Sequence, residues 1–410
     1  MSPDGPTASG RPAAWGAFDL DPSVHHLNHG SFGAVPRSVL EAQSELRARI
    51  ERDPMHFFTR RYLDELQAAR ERLARFVGAD PGDVVFVRNA TEGVASVLAS
   101  LALGPGDEVV ACDHEYPACV KACRRTGARV IEVPLPLPLT DPAELEARIL
   151  DAVGPATRLV LLSHVTSPTG LVLPVERLVE ALAARGVRVL VDGAHAPGML
   201  ALDLSAMAVR GLRLYTANLH KWVCAPKGAA FLWVHPDEHD RIRPAVTSHG
   251  HGAIWPGRNA LQSAFDWTGT DDPSPFLVAP HAIAAVGALH PAGWPGLRAH
   301  NHALALEARA ILERRLAVPS LAPPSMIGSL AAVALPPDPG PPRPHALAPS
   351  DLQASLHSRG FRIPVSSWPA PPARLLRLSA HVYNHLAEYE ALGAIVAQLL
   401  DEEPASQSSS

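Results

Sequence analysis

Lysine is nearly missing from this 410-residue chain. Of its 36 basic residues only Lys121, Lys221 and Lys227 are lysines, so arginine serves almost wherever a generic surface cation is wanted. Cysteine is sparse too. Cys112, Cys119, Cys123 and Cys224 are too few and too clustered for a disulfide framework, and no C-x-x-C pair suggests a thiolate metal site. No cysteine follows Cys224, which excludes a nucleophilic thiol on a loop in the C-terminal part. No apolar run reaches the roughly eighteen residues of a membrane-spanning helix. A formal net charge of −5 argues against a dedicated nucleic-acid surface. The opening MSPDGPTASGRPAAWG lacks the charged region and apolar core of a secretory signal. These absences point to a soluble, cytoplasmic protein in a reducing setting, with neither membrane nor nucleic acid as partner. Residues 1–22 read as a disordered leader and 404–410 as a disordered tail.

What is present is ample material for a core, since 47% of the chain is hydrophobic. Short apolar runs alternate with helical stretches from about residue 36, the pattern of βαβ units. Helices are expected at 36–52 and 60–76, the second with Leu63, Leu66, Leu73 and Phe76 at helical spacing. Strands are expected at 84–87, 108–111, 129–133, 158–163, 187–191, 213–216 and 229–234, several apolar enough to be buried on both faces. The product is an α/β fold, a mostly parallel sheet sandwiched by helices, with ligands outside the carboxyl ends of the strands. Beyond residue 271 come Ala-rich helices at about 276–290 and 301–315 and a Pro-rich stretch at 318–349. A helix at 350–359, a strand at 375–378 and a terminal helix at 384–400 follow. The domain reading is an N-terminal segment over 23–60, a large α/β domain over 61–271 and a smaller α+β C-terminal domain over 272–403.

Three segments carry chemistry. Lys221 sits in TANLHKWVCAPKG, residues 216–228, in a chain that has replaced nearly every other lysine. A lysine amine can lose its proton and attack an aldehyde, which a guanidinium cannot, so Lys221 is either a Schiff-base catalyst or a solvated loop residue. In VVFVRNATEG a strand runs into a helix through Asn89, Ala90 and Thr91; Asn89 and Glu92 can cap that helix, and its free N–H groups can hold a phosphate. In RVLVDGAHAPG a strand ends at Asp192, followed by His195. A buried carboxylate there needs a cation, and a protonated pyridine nitrogen is one a cofactor supplies. The alternative is a metal held by Asp192, His195 and His220, without any H-E-x-x-H or C-x-x-C pattern to support it.

Short stretches in a fixed order span the chain: LNHGSFG (27–33), NATEG (89–93), DHEY (113–116), SHVTSPTG (163–170), DGAHAPG (192–198), HKWVCAPKG (220–228) and RLSAHVYN (377–384). In these the chain resembles fold-type I pyridoxal-phosphate enzymes of the class V aminotransferase family, and within it the isopenicillin N epimerase-like branch. The resemblance implies pyridoxal 5'-phosphate as cofactor, with no metal. It implies that Lys221 forms the Schiff base, that Asp192 pairs with the pyridine nitrogen, and that His195 lies near the phenolic oxygen. Ala90, Thr91, Asn218 and His220 match phosphate-binding positions. His114 falls where the family stacks a ring over the cofactor, giving it a catalytic part, and Tyr116 can share that face. Thr270 in WTGT resembles the threonine that reaches the phosphate of the neighbouring subunit, which implies a homodimer with shared active sites. Arg377 matches the clamp for a substrate α-carboxylate, suited to a planar bidentate donor. Asn28 and His29 match the segment that closes over the substrate.

The reaction implied is proton removal from Cα of an amino acid or small peptide. Return of the proton on the opposite face through a quinonoid makes an epimerase or racemase; the alternatives are transamination, β-elimination with C–S cleavage, and a non-catalytic binding or regulatory protein of the same fold. A persulfide-forming desulfurase is excluded by the missing C-terminal cysteine. Epimerisation also needs an acid opposite Lys221, which no motif supplies.

Overall fold

Seven of the apolar runs assemble into one sheet. In the computed structural model, which describes residues 10–403 apart from 342, 344, 346 and 347, the strands are β1 (Val84–Val87), β2 (Glu108–Cys112), β3 (Arg129–Val133), β4 (Thr157–Ser163), β5 (Arg188–Asp192), β6 (Leu214–Asn218) and β7 (Ala230–Val234). Their order is β3-β2-β4-β5-β6-β7-β1, and only β7 runs antiparallel to its neighbours. Each strand alternates between two apolar clusters. Val84, Phe86, Val110, Val160, Val189 and Trp233 belong to one, and Val85, Val87, Val109, Leu159, Leu190 and Leu232 to the other. Both faces are therefore covered, as a near-continuous hydrophobic strand sequence requires.

Helices α1 (Arg37–Arg52) and α2 (Tyr62–Val77) pack against the later helix Ser274–Gly287. α2 begins two residues later than the apolar spacing suggests, because a π-helical turn, Phe57–Arg61, leads into it. Two further helices follow their strands directly. These are α3 (Ala90–Leu101), lying on β6 and β7, and α4 (Pro117–Arg125). The C-terminal part holds the long helix α5 (Gly293–Leu316), β8 (Leu330–Leu335), helix α6 (Asp351–Ser358), β9 (Val365–Ser367), β10 (Arg374–Ser379) and the terminal helix α7 (Leu386–Glu402). β8, β9 and β10 form a separate antiparallel sheet in the order β9-β10-β8. β8 was not anticipated: LAAVAL lies inside a segment whose prolines dominate its texture, yet all but one of its residues are buried.

The N-terminal segment does not stay apart. His25 and His26 pair in parallel with Phe361 and Arg362, and Ser379 N–H donates to Leu27 O. The expectation of a disordered leader over 1–22 is corrected at its end. Ala13–Ala17 form a 3-10 turn, and Phe18 is buried in T-shaped contact with Tyr383, an apolar anchor that 47% overall hydrophobicity does not single out. Residues 1–9 of the expected leader and the tail 404–410 lie outside the described residues.

Close approach of α3 to the sheet depends on Gly93, where an added Cβ would lie 2.1 Å from Thr216 Oγ1. Gly93→Ala is expected to lower stability by about 1–3 kcal/mol through overpacking, read as an earlier urea midpoint; an unchanged midpoint would contradict this tight seam.

Candidate active site

The carboxyl ends of β1, β4, β5 and β6 deliver four of the motifs to one edge of the sheet. β1 runs into α3, where Asn89 Oδ1 accepts from Glu92 N–H at 2.9 Å and Glu92 Oε2 accepts from Arg88 N–H at 2.8 Å. Asn218, at the end of β6, accepts from Ala90 N–H at 2.9 Å. Capping thus occurs as the spacing suggests, and it fixes the helix start beside β6 with Thr91 exposed between the capped positions. His220 follows Asn218 by two residues, and its Nδ1 is buried without a partner among the described residues. Burial, with Lys221 close by, lowers its pKa to about 4, so it is a neutral ring.

Lys221 is withdrawn from water beside Arg377. Burial first, and the Arg377 charge second, pull its pKa down to about 7. Trp222 donates its indole N–H to His195 Nδ1 at 3.4 Å, which leaves His195 Nε2–H to donate to Lys221 Nζ at 3.0 Å. That bond needs a neutral amine as acceptor, the same state that attacks a carbonyl carbon. The solvated-lysine reading fails on these contacts.

Asp192 closes β5 with its carboxylate buried. Oδ1 accepts from Ala194 N–H at 2.9 Å, and Cys119 Sγ lies 3.4 Å from Oδ2. Burial raises its pKa, and no cation forms an ion pair with it among the described residues. A carboxylate in this position fits a protonated ring nitrogen; the Lys221 charge is felt there but forms no ion pair with it.

Arg377, on β10, is the complementary case: a guanidinium only 8% exposed, with no carboxylate partner among the described residues. It donates to Ser31 Oγ at 2.8 Å and Asn28 Oδ1 at 3.2 Å, and to Ser167 O. Its Nε is buried and unpartnered, and burial lowers its pKa to about 10. Such a group fits an incoming carboxylate. Asn28, expected in the segment that closes over the substrate, reaches this cation.

His29 does not. It is buried, its Nε2 bonding to Lys221 O at 3.1 Å and its Nδ1 to Tyr383 OH at 2.8 Å. We correct its expected substrate contact to a clamp on the Lys221 backbone. His29 and His381 also bring ring nitrogens near Cys224 Sγ, at 3.7 and 3.6 Å. Their rings, however, are stacked at 4.0 Å and 18°, and His29 Nε2 carries the proton it donates to Lys221 O, so it offers no lone pair to a metal. His114 likewise has both nitrogens occupied, by Thr169 Oγ1 at 2.8 Å and Leu135 O at 2.7 Å, and its ring meets Trp368 edge-on. Both nitrogens are thus committed to the protein, which leaves only the ring face for the stacking expected of it. Tyr116, 44% exposed at the start of α4, keeps its ring available. Thr270 is exposed on a loop pinned by Arg88 to Asp271 at 2.7 Å and by the buried Asp266 between Arg70 and Arg258. Trp222, Ser31 and Ser167 were not singled out from the sequence. All three lie inside the quoted motifs, and only their contacts mark them.

An amine whose pKa is brought to about 7, a buried acid without an ion-pair partner, an unpartnered ring nitrogen at a doubly capped helix start and a buried guanidinium without an anion together fit an aldehyde-bearing, phosphorylated pyridine cofactor. Sheet order and site define a fold-type I pyridoxal-phosphate enzyme. Residues 32–253 match the profile of the family described as aminotransferase class-V. The chain is 35% identical to isopenicillin N epimerase of Streptomyces clavuligerus, over 95% of this chain and 98% of that one. It is 33% identical to a putative L-cysteine desulfhydrase 1 of Oryza sativa subsp. japonica, over 76% and 67% of the two chains. Among solved structures, the cystine C-S lyase C-DES in complex with cysteine persulfide superposes with a TM-score of 0.76 at 23% identity, covering 92% of this chain and 98% of that one. The chain belongs to the class V aminotransferase family, and its cofactor is pyridoxal phosphate.

The electrostatics make a pH prediction. The neutral Lys221 amine predominates above about 7, so Schiff-base formation by apoprotein and pyridoxal phosphate should accelerate as pH rises through that value. Arg377→Met removes a charge that lowers the Lys221 pKa and should move this limb upward by about one unit, measured by stopped-flow absorbance. A limb that stays in place would contradict the coupling.

Proposed function

We propose that this chain acts at Cα of an amino acid or small peptide as an isopenicillin N epimerase-like isomerase, cytoplasmic and homodimeric. The observation that carries this reading is identity of 35% and 36% with two isopenicillin N epimerases over 95% and 93% of the chain. In this reading Arg377 receives the substrate carboxylate, with Asn28 and Ser31 orienting the guanidinium. Lys221 takes the Cα proton. Asp192 would hold the ring nitrogen of the cofactor, whose ring would supply a sink for the electron pair left at Cα. His195 holds the Lys221 amine in line and His220 borders the phosphate. Thr270, exposed on its protomer, contributes to the cofactor phosphate of a second chain.

A C–S lyase is the second reading, favoured by the desulfhydrase relatives. It uses the same proton removal and ends by expelling a β-thiolate instead of returning the proton. A persulfide-forming desulfurase has no support. All four cysteines are buried, and burial raises the pKa of each thiol, which keeps them protonated.

Proton NMR of L-amino acids, γ-linked peptides and S-substituted cysteines in deuterated water tests the choice. Exchange at Cα with the amine retained and the D-form appearing is the expected outcome. Release of sulfide with a keto acid would instead establish the lyase. Lys221→Ala should abolish borohydride fixation of the cofactor, and fixation through another lysine would overturn the central assignment. Thr270→Ala should weaken cofactor retention; a monomer with full occupancy would contradict the shared site.

A further inference from the structure

A second carboxyl lies buried one strand from Asp192, held by Ser163, which pairs with Asp192 across β4 and β5, and the chemistry outlined above leaves it unused. Glu115, in the turn between β2 and α4, is 3% exposed. Ser163, at the end of β4, donates its backbone N–H to Oε1 at 2.7 Å and its hydroxyl to Oε2. Cys112 Sγ lies 3.5 Å from Oε1. The other titratable groups facing it are Cys119 and Cys123 from α4 and Asp192 from β5, while Asp113 and the neutral His114 precede it in the chain. Among these, no group is a cation. Two carboxyls that feel each other in a dry interior cannot both ionise without a counter-charge.

We propose that Glu115 is a positioning residue for the cofactor ring, setting through its own charge how firmly Asp192 holds the proton on the pyridine nitrogen. The proposal rests on the reading of Asp192 as the ring-nitrogen partner. Glu115 in its neutral form leaves the single charge of the pair on Asp192, facing the ring. Once ionised, it adds a second negative charge near Asp192, for which a pyridinium would serve as counter-ion. Burial, helped by Asp192 and opposed by the Ser163 bonds, raises the Glu115 pKa to about 7, so this change of charge falls in the working range of pH. Glutamine keeps the shape, can accept from the Ser163 N–H and donate to its hydroxyl, and can never ionise.

The test is the pH titration of the visible band of the full-length, cofactor-loaded protein, with Glu115→Gln, Ser163→Ala and Asp192→Asn beside the wild type. Losing the Glu115 charge should lower the midpoint by roughly half to one unit in Glu115→Gln. Ser163→Ala, which keeps the carboxyl but raises its pKa, should give a smaller displacement in the same direction and stands in if the glutamine variant does not fold. A purely structural role would change melting temperature or cofactor affinity and leave the midpoint in place, which overturns the proposal. If Asp192→Asn also leaves the midpoint unmoved, the underlying reading of Asp192 fails with it. A shift in Asp192→Asn but in neither other variant sinks the Glu115 proposal alone.

Discussion

The Lys221 amine is drawn out of water into a space it shares with Arg377, and burial with that neighbouring cation brings its pKa down to about 7. Nearly every other feature of the site supports this placement. His195 can donate to the amine because Trp222 occupies its other nitrogen. His29 fixes the Lys221 carbonyl and is itself held by Tyr383. Gly33 lets the N-terminal segment approach, since a Cβ there would lie 2.1 Å from His220 O in a left-handed backbone with φ of +71°.

Buried charge is expensive unless something answers it. Asp192 and Arg377 both lack an ionic partner within the described protein, and the two deficits are of opposite sign. In the proposed reading a ring cation and a substrate carboxylate would answer them, and ligand binding would complete an electrostatic arrangement that the protein leaves open. This differs from the buried group of Arg70, Asp266 and Arg258, where the protein supplies both signs itself and the result is a fixed loop. The contrast separates charges kept for structure from charges kept for chemistry.

Closing the site draws together segments remote in sequence. Arg377 lies on β10, its partners Asn28 and Ser31 near the other end of the chain, and the Ser167 carbonyl in between. Pairing of His25 and His26 with Phe361 and Arg362 holds the first segment to the C-terminal part. The surroundings of Arg377 therefore depend on a contact between the two ends of the chain, whereas Asp192 and Asn218 lie on the central sheet and Lys221 touches both, through His29 of the N-terminal segment.

The sheet was legible because its strands are buried on both faces: Val84 to Val87 or Leu159 to Leu162 need no tertiary information to read as interior strands. Lys221 stood out by the scarcity of lysine, Asp192 and Asn89 by their places at strand ends. β8 was hidden by the prolines around it, and Phe18 by a leader of neutral composition. The order and spacing of residues thus determined which chemical groups the chain owns and on which strand ends they sit, since these follow from local periodicity and turn chemistry. Only the tertiary structure decided what each group does. Burial and hydrogen-bond partners depend on contacts across the chain, and they tie His29 to the Lys221 carbonyl, occupy both nitrogens of His114, bring the Lys221 pKa to about 7 and bury Glu115 against Ser163.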